Sequence, residues 1–238
     1  FKKPILEEKA AEEAKAVEEA DFANLARVAG TGVFSSGSRA EFMRRWGTSK
    51  DFSGGIEEFR LEESIGKDTH IEVEGSGMFN NHNYLLEFKA ERSKIGSFEI
   101  GFKEFRTYYN GFAGFFPYGG TDHFDLYDPQ FTIDRGAAWF EGELALPDLP
   151  VLDFKYEHEY RRGTKDSLEW GDVGAGKTAG VGARKFTGSF YNYDEQRDIF
   201  EGGLKHTIDK TDLKTGLKYE LTTDSNTHNI RRNPAELN

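Results

Sequence analysis

The chain has 238 residues, a formal net charge of -11, no cysteine and a mean hydropathy of -0.69. The missing cysteines exclude disulfides, thiolate metal sites and covalent haem attachment to this chain, and the acidic balance argues against a nucleic-acid partner. No stretch approaches the roughly 18 consecutive apolar residues of a membrane helix. A transmembrane β-barrel stays open, because each of its strands needs an apolar side chain only at every second position.

The N-terminal stretch from Ile5 to Val28 is rich in Ala and Glu and predicts a helix that Gly30 and Gly32 end. We assign residues 1–32 to a periplasmic helical extension and residues 33–238 to the barrel portion. We interpret the helix as solvated or weakly docked, with a plug or a periplasmic docking element as the alternative. Its apolar side follows helical spacing at Leu6, Ala10, Ala14 and Val17.

Nine segments alternate apolar and charged residues with period two, which predicts an all-β fold of antiparallel strands. Most are nine to twelve residues long, as a tilted strand that crosses a bilayer requires. We expect a bulge after Lys103, where the apolar phase of the fifth strand shifts. The predicted strands are Arg39–Trp46, Gly55–Glu63, Thr69–Met78, Tyr84–Glu91, Ser97–Tyr108, Arg135–Ala145, Val151–Arg161, Gln196–His206 and Asp212–Thr222.

The connections between these strands differ in length at the two ends. Short turns follow the second, fourth, sixth and eighth strands, whereas long links near 109–134 and 162–195 follow the fifth and seventh. Outer-membrane barrels place short turns in the periplasm and long loops outside, so we expect both long links to be external.

Such barrels normally have an even number of strands. Nine strands therefore suggest the N-terminal portion of a larger barrel; the alternative is a barrel of eight strands that closes alone. The chain starts at Phe1 instead of a methionine, as a mature exported protein or a partial sequence would. We expect it in the bacterial outer membrane as a multi-pass protein.

The period of two separates the side chains into a face towards lipid and a face towards a wet lumen. The lumen would be mixed in charge, with acid in excess, and would contact a partner. Its predicted residues are Glu58, Arg60, Glu62, Glu72, Glu74, Glu87, Lys89, Glu99, Lys103, Glu141, Glu143, Lys155, Glu157 and Glu159.

Aromatic residues cluster where the fifth strand would leave the bilayer. We interpret them as an interfacial girdle, with a contact surface for an external partner as the alternative. The cluster consists of Tyr108, Tyr109, Phe112, Phe115, Phe116 and Tyr118.

Three patterns that suggest ligand chemistry lack the context they need. The segment 171–178 matches the phosphate-loop pattern G-x-x-x-x-G-K-T, but glycine-rich sequence follows it where a helix is required, so we interpret it as an external loop. The six histidines are scattered. The acidic residues Asp122, Asp125 and Asp128 lack the glycine and glutamate of a calcium loop. We predict no enzyme, no catalytic residue, no metal ligand and no cofactor bound by this chain.

Several segments between Arg39 and Thr222 resemble the MtrB/PioB family of outer-membrane barrels, the sheaths of porin–cytochrome conduits. They are Phe59-Arg60-Leu61-Glu62-Glu63, 101–109 (GFKEFRTYY), Gly114-Phe115-Phe116-Pro117, Asp134-Arg135-Gly136, Trp170-Gly171-Asp172 and Arg197-Asp198-Ile199-Phe200-Glu201.

The resemblance implies a large barrel that encloses a periplasmic multihaem c-type cytochrome and lets it reach an external cytochrome. All haem would lie on the partner, and the barrel itself would do no redox chemistry. Some members carry an N-terminal cysteine motif that this chain lacks. The alternatives are a passive diffusion porin with a charged, water-filled lumen and a soluble all-β binding protein. The strand lengths argue against the soluble protein.

Overall fold

The computed structural model describes residues 24–49, 51–109, 112–116, 122–125, 131–173, 184–208 and 210–230. This part of the chain is all-β with one short helix. Its elements are β1 (Leu25–Thr31), α1 (Arg39–Trp46), β2 (Ser53–Ile65), β3 (Thr69–Met78), β4 (Asn83–Arg92), β5 (Gly96–Tyr109), β6 (Phe112–Phe116), β7 (Asp122–Asp125), β8 (Phe131–Leu144), β9 (Val151–Val173), β10 (Arg184–Ile208), β11 (Thr211–Asp224) and β12 (Thr227–Ile230).

Ten strands form one antiparallel sheet in the order β1-β2-β3-β4-β5-β8-β9-β10-β11, with β12 paired to β10. Strands β6 and β7 form a separate two-stranded sheet inside the link between β5 and β8. Sequence neighbours pair because antiparallel strands can be joined by tight connections. Within the described residues the large sheet is not closed, and β1 and β11 are its two ends.

Eight of the nine predicted strands are present, and β3 has the predicted bounds. The predicted loop at 162–195 is wrong in large part, because β9 extends to Val173 and β10 begins at Arg184. Polar side chains stabilise this extended hairpin across its strands. The Thr164 hydroxyl donates to Asn192 at 2.9 Å, for example. The phosphate-loop pattern falls mainly on residues 174–183, which lie outside the described part.

The first predicted strand, Arg39–Trp46, is wrong, because this segment is helix α1. The Ser38 hydroxyl caps its start by accepting a hydrogen bond from the Glu41 amide at 3.3 Å. Glu41 also pairs with Arg44 one turn later, at 2.7 Å. Gly47 ends the helix with φ 63°, a left-handed conformation that glycine adopts readily.

The predicted N-terminal helix is wrong at its C-terminal end. Residues Leu25–Thr31 form β1, which pairs with β2 from Leu25 opposite Arg60 to Thr31 opposite Ser53. The hydrogen bonds of this ladder come from tertiary structure, and they override the local helix propensity of the sequence. Residues 1–23, which carry most of the predicted helix, lie outside the described part.

The bulge predicted after Lys103 is also wrong. Strand β5 pairs with both β4 and β8 without a shift of register. The change of pattern instead places Phe105 on the same face as Lys103, because the strand continues regularly. A register shift occurs in β2, between Ile56 and Phe59, where β2 pairs with β3.

Few apolar side chains of the described residues are buried. Phe131 forms the centre of a small cluster with Tyr109 and Phe190, and Ile133 is the largest fully buried side chain. No helix in the described ranges has the length and apolarity needed to cross a membrane. The sheet therefore leaves most of its apolar side chains uncovered.

Candidate functional site

Two transverse rows of side chains define the opposite faces of the sheet. The charged row crosses eight paired strands through Glu62, Glu72, Lys89, Glu99, Glu141, Lys155, Glu201 and Lys218. The apolar row crosses the same strands through Leu61, Val73, Phe88, Ile100, Phe140, Tyr156, Phe200 and Tyr219. Each member of one row is the chain neighbour of a member of the other. Consecutive side chains in a strand point to opposite sides, so one face is charged and the other apolar.

The polar face, which contains the charged row, carries all fourteen predicted lumen residues. In a second row on this face, Arg60, Glu74 and Glu87 lie on neighbouring strands. Further along the same row, Glu157 is the cross-strand partner of Trp139. Lys103, Glu143 and Glu159 occupy the flanking rows, and Glu58 lies at the β2 register shift, 3.1 Å from Arg27. The register therefore places on one face residues from strands that are far apart in the chain, and it pairs Glu99 directly with Glu141.

Ion pairs within and between strands connect the charged residues of the polar face. Lys155 Nζ lies 2.6 Å from a Glu141 oxygen and 3.3 Å from a Glu157 oxygen. Lys89 contacts Glu87 and lies 3.8 Å from Glu99. Each such pair contributes little on its own. Together they hold the carboxylates of neighbouring strands beside lysines, which offsets the repulsion between adjacent acidic residues.

The apolar face consists of the apolar row and the apolar side chains directly above and below it. Many of its large residues are exposed: Leu217 is 86% exposed, Leu86 56% and Ile100 51%. Aromatic rings pack along the face, with ring centroids 5.1 Å apart for Phe140 and Phe154. Soluble proteins seldom expose an apolar patch that crosses a whole sheet. Most of the charged side chains on the polar face are half-buried, which is the reverse of the distribution in a soluble protein.

Polar side chains replace the apolar ones where β5, β8 and β9 continue past the apolar face. Arg106 donates two hydrogen bonds to the Asp134 carboxylate, at 2.5 and 2.6 Å. Tyr160 donates to Glu104, and His82 Nδ1 lies 3.2 Å from the same carboxylate. We call these five residues the polar rim. They mark the edge of the apolar face on three adjacent strands.

The polar rim contains one set of ligand atoms close enough to share a metal ion. Atoms of His82, Glu104 and Asp134 lie within 4.8 Å of one another. Arg106 already engages both oxygens of Asp134, and Tyr160 engages Glu104. The arginine compensates the carboxylate charge without an ion, and this geometry adds no argument for a metal.

The residues of the predicted aromatic girdle do not share one environment. Tyr108 is 6% exposed and donates to the Asn80 carbonyl at 3.2 Å. Tyr109 is its chain neighbour on β5, points to the opposite face and packs near Phe131. The two tyrosines therefore cannot belong to one exterior belt. Phe112, Phe115 and Phe116 lie in β6, where only the backbone is described, and Tyr118 lies outside the described residues.

The predictions omitted several residues on the polar face, including Arg135, Trp139, Arg161 and Arg197. Trp139 and Arg161 are two positions from Glu141 and Glu159, so the period-two pattern already predicted their orientation. Their pairing with other strands had no local signal, since it depends on register. Comparison of the chain with protein-family models, with curated proteins and with solved structures gave no match.

Proposed function

We propose that this chain forms part of a transmembrane β-barrel in the bacterial outer membrane, with the apolar face towards lipid and the polar face towards the lumen. The observation that carries this proposal is the pair of adjacent rows, apolar and charged, across eight strands. Barrels in a bilayer need this separation because every strand meets lipid on one side and water on the other.

The open ends of the sheet support a larger barrel. A spanning sheet must pair every strand, because unpaired backbone groups in hydrocarbon cost several kcal/mol each. Strand β11 is exposed along its whole length and pairs with β10 alone among the described strands. Further strands, from residues beyond this sequence or from another chain, would close the barrel between β11 and β1.

The boundary of the apolar face is consistent with tilted strands. Tyr84 on β4 is paired with Glu104 on β5, so the apolar side chains end earlier on β5 than on β4. Phe102 on β5 and Ala138 on β8 are cross-strand partners, and the next residue in this row, on β9, is His158. The apolar side chains therefore end earlier on β9 than on β5. A boundary that moves along the rows from strand to strand is expected when strands cross a level membrane surface at an angle.

For the function we propose a scaffold that sheathes a multihaem c-type cytochrome for electron transfer across the outer membrane. The resemblance of the 101–109 and 197–201 segments to the MtrB/PioB family favours this role. The ion-paired polar face supports it, since fixed charges of both signs can hold the surface of a folded partner in one orientation. Without cysteine, this chain leaves covalent haem attachment to the partner.

A passive diffusion porin is the second candidate. The observation that favours it is the continuous charge of the polar face, which would keep water in an open lumen and select solutes by charge. The two candidates share the barrel and differ only in what occupies its interior.

Absorption spectroscopy distinguishes the two candidates. The protein is extracted from native outer membranes in mild detergent and passed through gel filtration, and its spectrum is recorded in the barrel fraction. A haem Soret band in near-stoichiometric amount supports the cytochrome sheath. A colourless barrel contradicts it and supports the porin, which liposome-swelling measurements with solutes of opposite charge then test.

A further inference from the structure

Two arginines face each other directly on the polar face. Arg135 on β8 and Arg161 on β9 are cross-strand partners. Like charges at directly opposed positions destabilise a sheet, so the pair calls for a compensating anion.

Carboxylates of the described residues compensate this charge only in part. Arg161 lies 3.3 Å from Glu195, and its Nε atom is buried without a hydrogen-bond partner. Arg135 donates to the Thr107 hydroxyl at 2.8 Å but has no carboxylate in ion-pair contact within the described ranges. The same holds for Lys103, whose Nζ lies 5.6 Å from the centre of the Trp139 ring. Arg197, Glu159 and Asp224 line one cavity with these residues, and Arg197 pairs with Glu159 at 3.2 Å. Four cations there face three carboxylates, and neither Arg135 nor Lys103 is in ion-pair contact with one of them within the described ranges.

These residues line a cavity of about 370 Å³. That volume lies at the lower end of the range for small-molecule sites. Part of its wall is apolar: Phe105 is 47% exposed beside Arg135, and Ala137 completes this side. A bare inorganic ion would leave the apolar part of the wall in contact with water. A ligand with an anionic group and an apolar body fits both parts.

We propose that this cavity binds an organic carboxylate, whose anionic group bridges Arg135 and Arg161 and whose apolar body packs on Phe105. Guanidinium groups match the planar carboxylate with two parallel hydrogen bonds. Lys103 adds a third positive charge at the cavity wall. The proposed site is compatible with both the cytochrome sheath and the porin. The carboxylate belongs to a free organic acid or to a protein that occupies the lumen, and both present the same chemical group.

Fluorine NMR of the full chain in detergent micelles tests the site with 4-fluorobenzoate and its neutral analogue 4-fluorobenzyl alcohol. We expect saturable binding of the acid and much weaker binding of the alcohol. In Arg135→Gln the affinity for the acid should fall about tenfold or more, because one charged contact is lost. Lys205→Gln is the matched control, because Lys205 lies on the same face beside Glu143 and Asp153, outside the cavity.

A hexaglutamate peptide distinguishes the two sources of the carboxylate. Binding of fluorobenzoate that Arg135→Gln weakens supports a free organic acid. Binding of the peptide alone, with the same sensitivity, supports carboxylates presented by a protein. Equal binding of the acid and the alcohol, equal losses in both variants, or no binding of either anion overturns the site. The comparison of acid with alcohol uses the unaltered chain, so it holds even if a variant folds poorly, and it is independent of the haem measurement.

Discussion

The indole of Trp139 occupies the space beside Gly101 where any other residue would place its Cβ. The two residues are cross-strand partners on β8 and β5, and a Cβ at position 101 would lie 2.1 Å from the Trp139 ring. The Trp139 Nε1 atom donates to Glu99 at 2.6 Å, which fixes the ring over the glycine. One glycine thereby allows a large aromatic side chain to lie flat within a charged face.

Substitution of this glycine tests the packing. Gly101→Ala should lower the free energy of unfolding by about 1 to 3 kcal/mol, because the ring must move or the strands must separate. Denaturant unfolding of the refolded chain, followed by tryptophan emission, measures the change. Gly202→Ala is the control, since the nearest atom, the Asp153 carbonyl oxygen, would lie 3.9 Å from its Cβ. Equal stability of both variants would contradict the close packing.

A charge on the apolar face tests the proposed barrel and the proposed orientation of its faces. Phe154→Arg should cost about 2 to 4 kcal/mol near the bilayer midplane and impair insertion into liposomes. Glu87→Arg, on the polar face, should insert normally and weaken retention of a partner. Protease protection and the heat-dependent shift in gel mobility report insertion. If Phe154→Arg inserts normally and Glu87→Arg does not, the inner and outer faces are reversed.

The polar rim offers a stability test that needs no partner. Arg106 and Asp134 form two charge-assisted hydrogen bonds and are only 21% and 24% exposed. A double-mutant cycle with Arg106→Met and Asp134→Leu should give a coupling energy of about 1.5 to 3 kcal/mol. The same cycle for the exposed pair Arg162 and Asp194 serves as the control and should give less than about 1 kcal/mol. Similar coupling in both cycles would show that partial burial does not strengthen the pair.

The cap of α1 has a local effect that amide hydrogen exchange can measure. Ser38→Ala removes the acceptor of the Glu41 amide and should destabilise the helix by about 1 kcal/mol. Faster exchange is expected for amides of residues 39–46, with little change in the strands. Ser36→Ala, at an exposed position before the cap, is the comparison. Unchanged exchange in Ser38→Ala would show that packing of Ala40 and Met43 holds the helix without its cap.

Helix α1, which was predicted as a strand, has capping residues that already indicated a helix in the sequence. Ser38, Glu41 and Gly47 have the spacing of helix caps. The adjacent apolar residues Phe42 and Met43, followed by Arg44, break the alternation that a strand requires, so capping was the more reliable guide. The start of β1 had no such signal, because its alanines favour a helix and only the pairing with β2 makes it a strand.

The assignment of charged and apolar side chains to two faces followed from the sequence, since a strand alternates its side chains at every residue and this geometry is local. The register could not be obtained in the same way. It depends on hydrogen bonds between segments that are tens of residues apart, such as Glu99 and Glu141 or Lys155 and Glu201. The opposition of Arg135 and Arg161 arises from that register alone. Local chemistry thus determined which side chains share a face, and long-range pairing determined which of them meet.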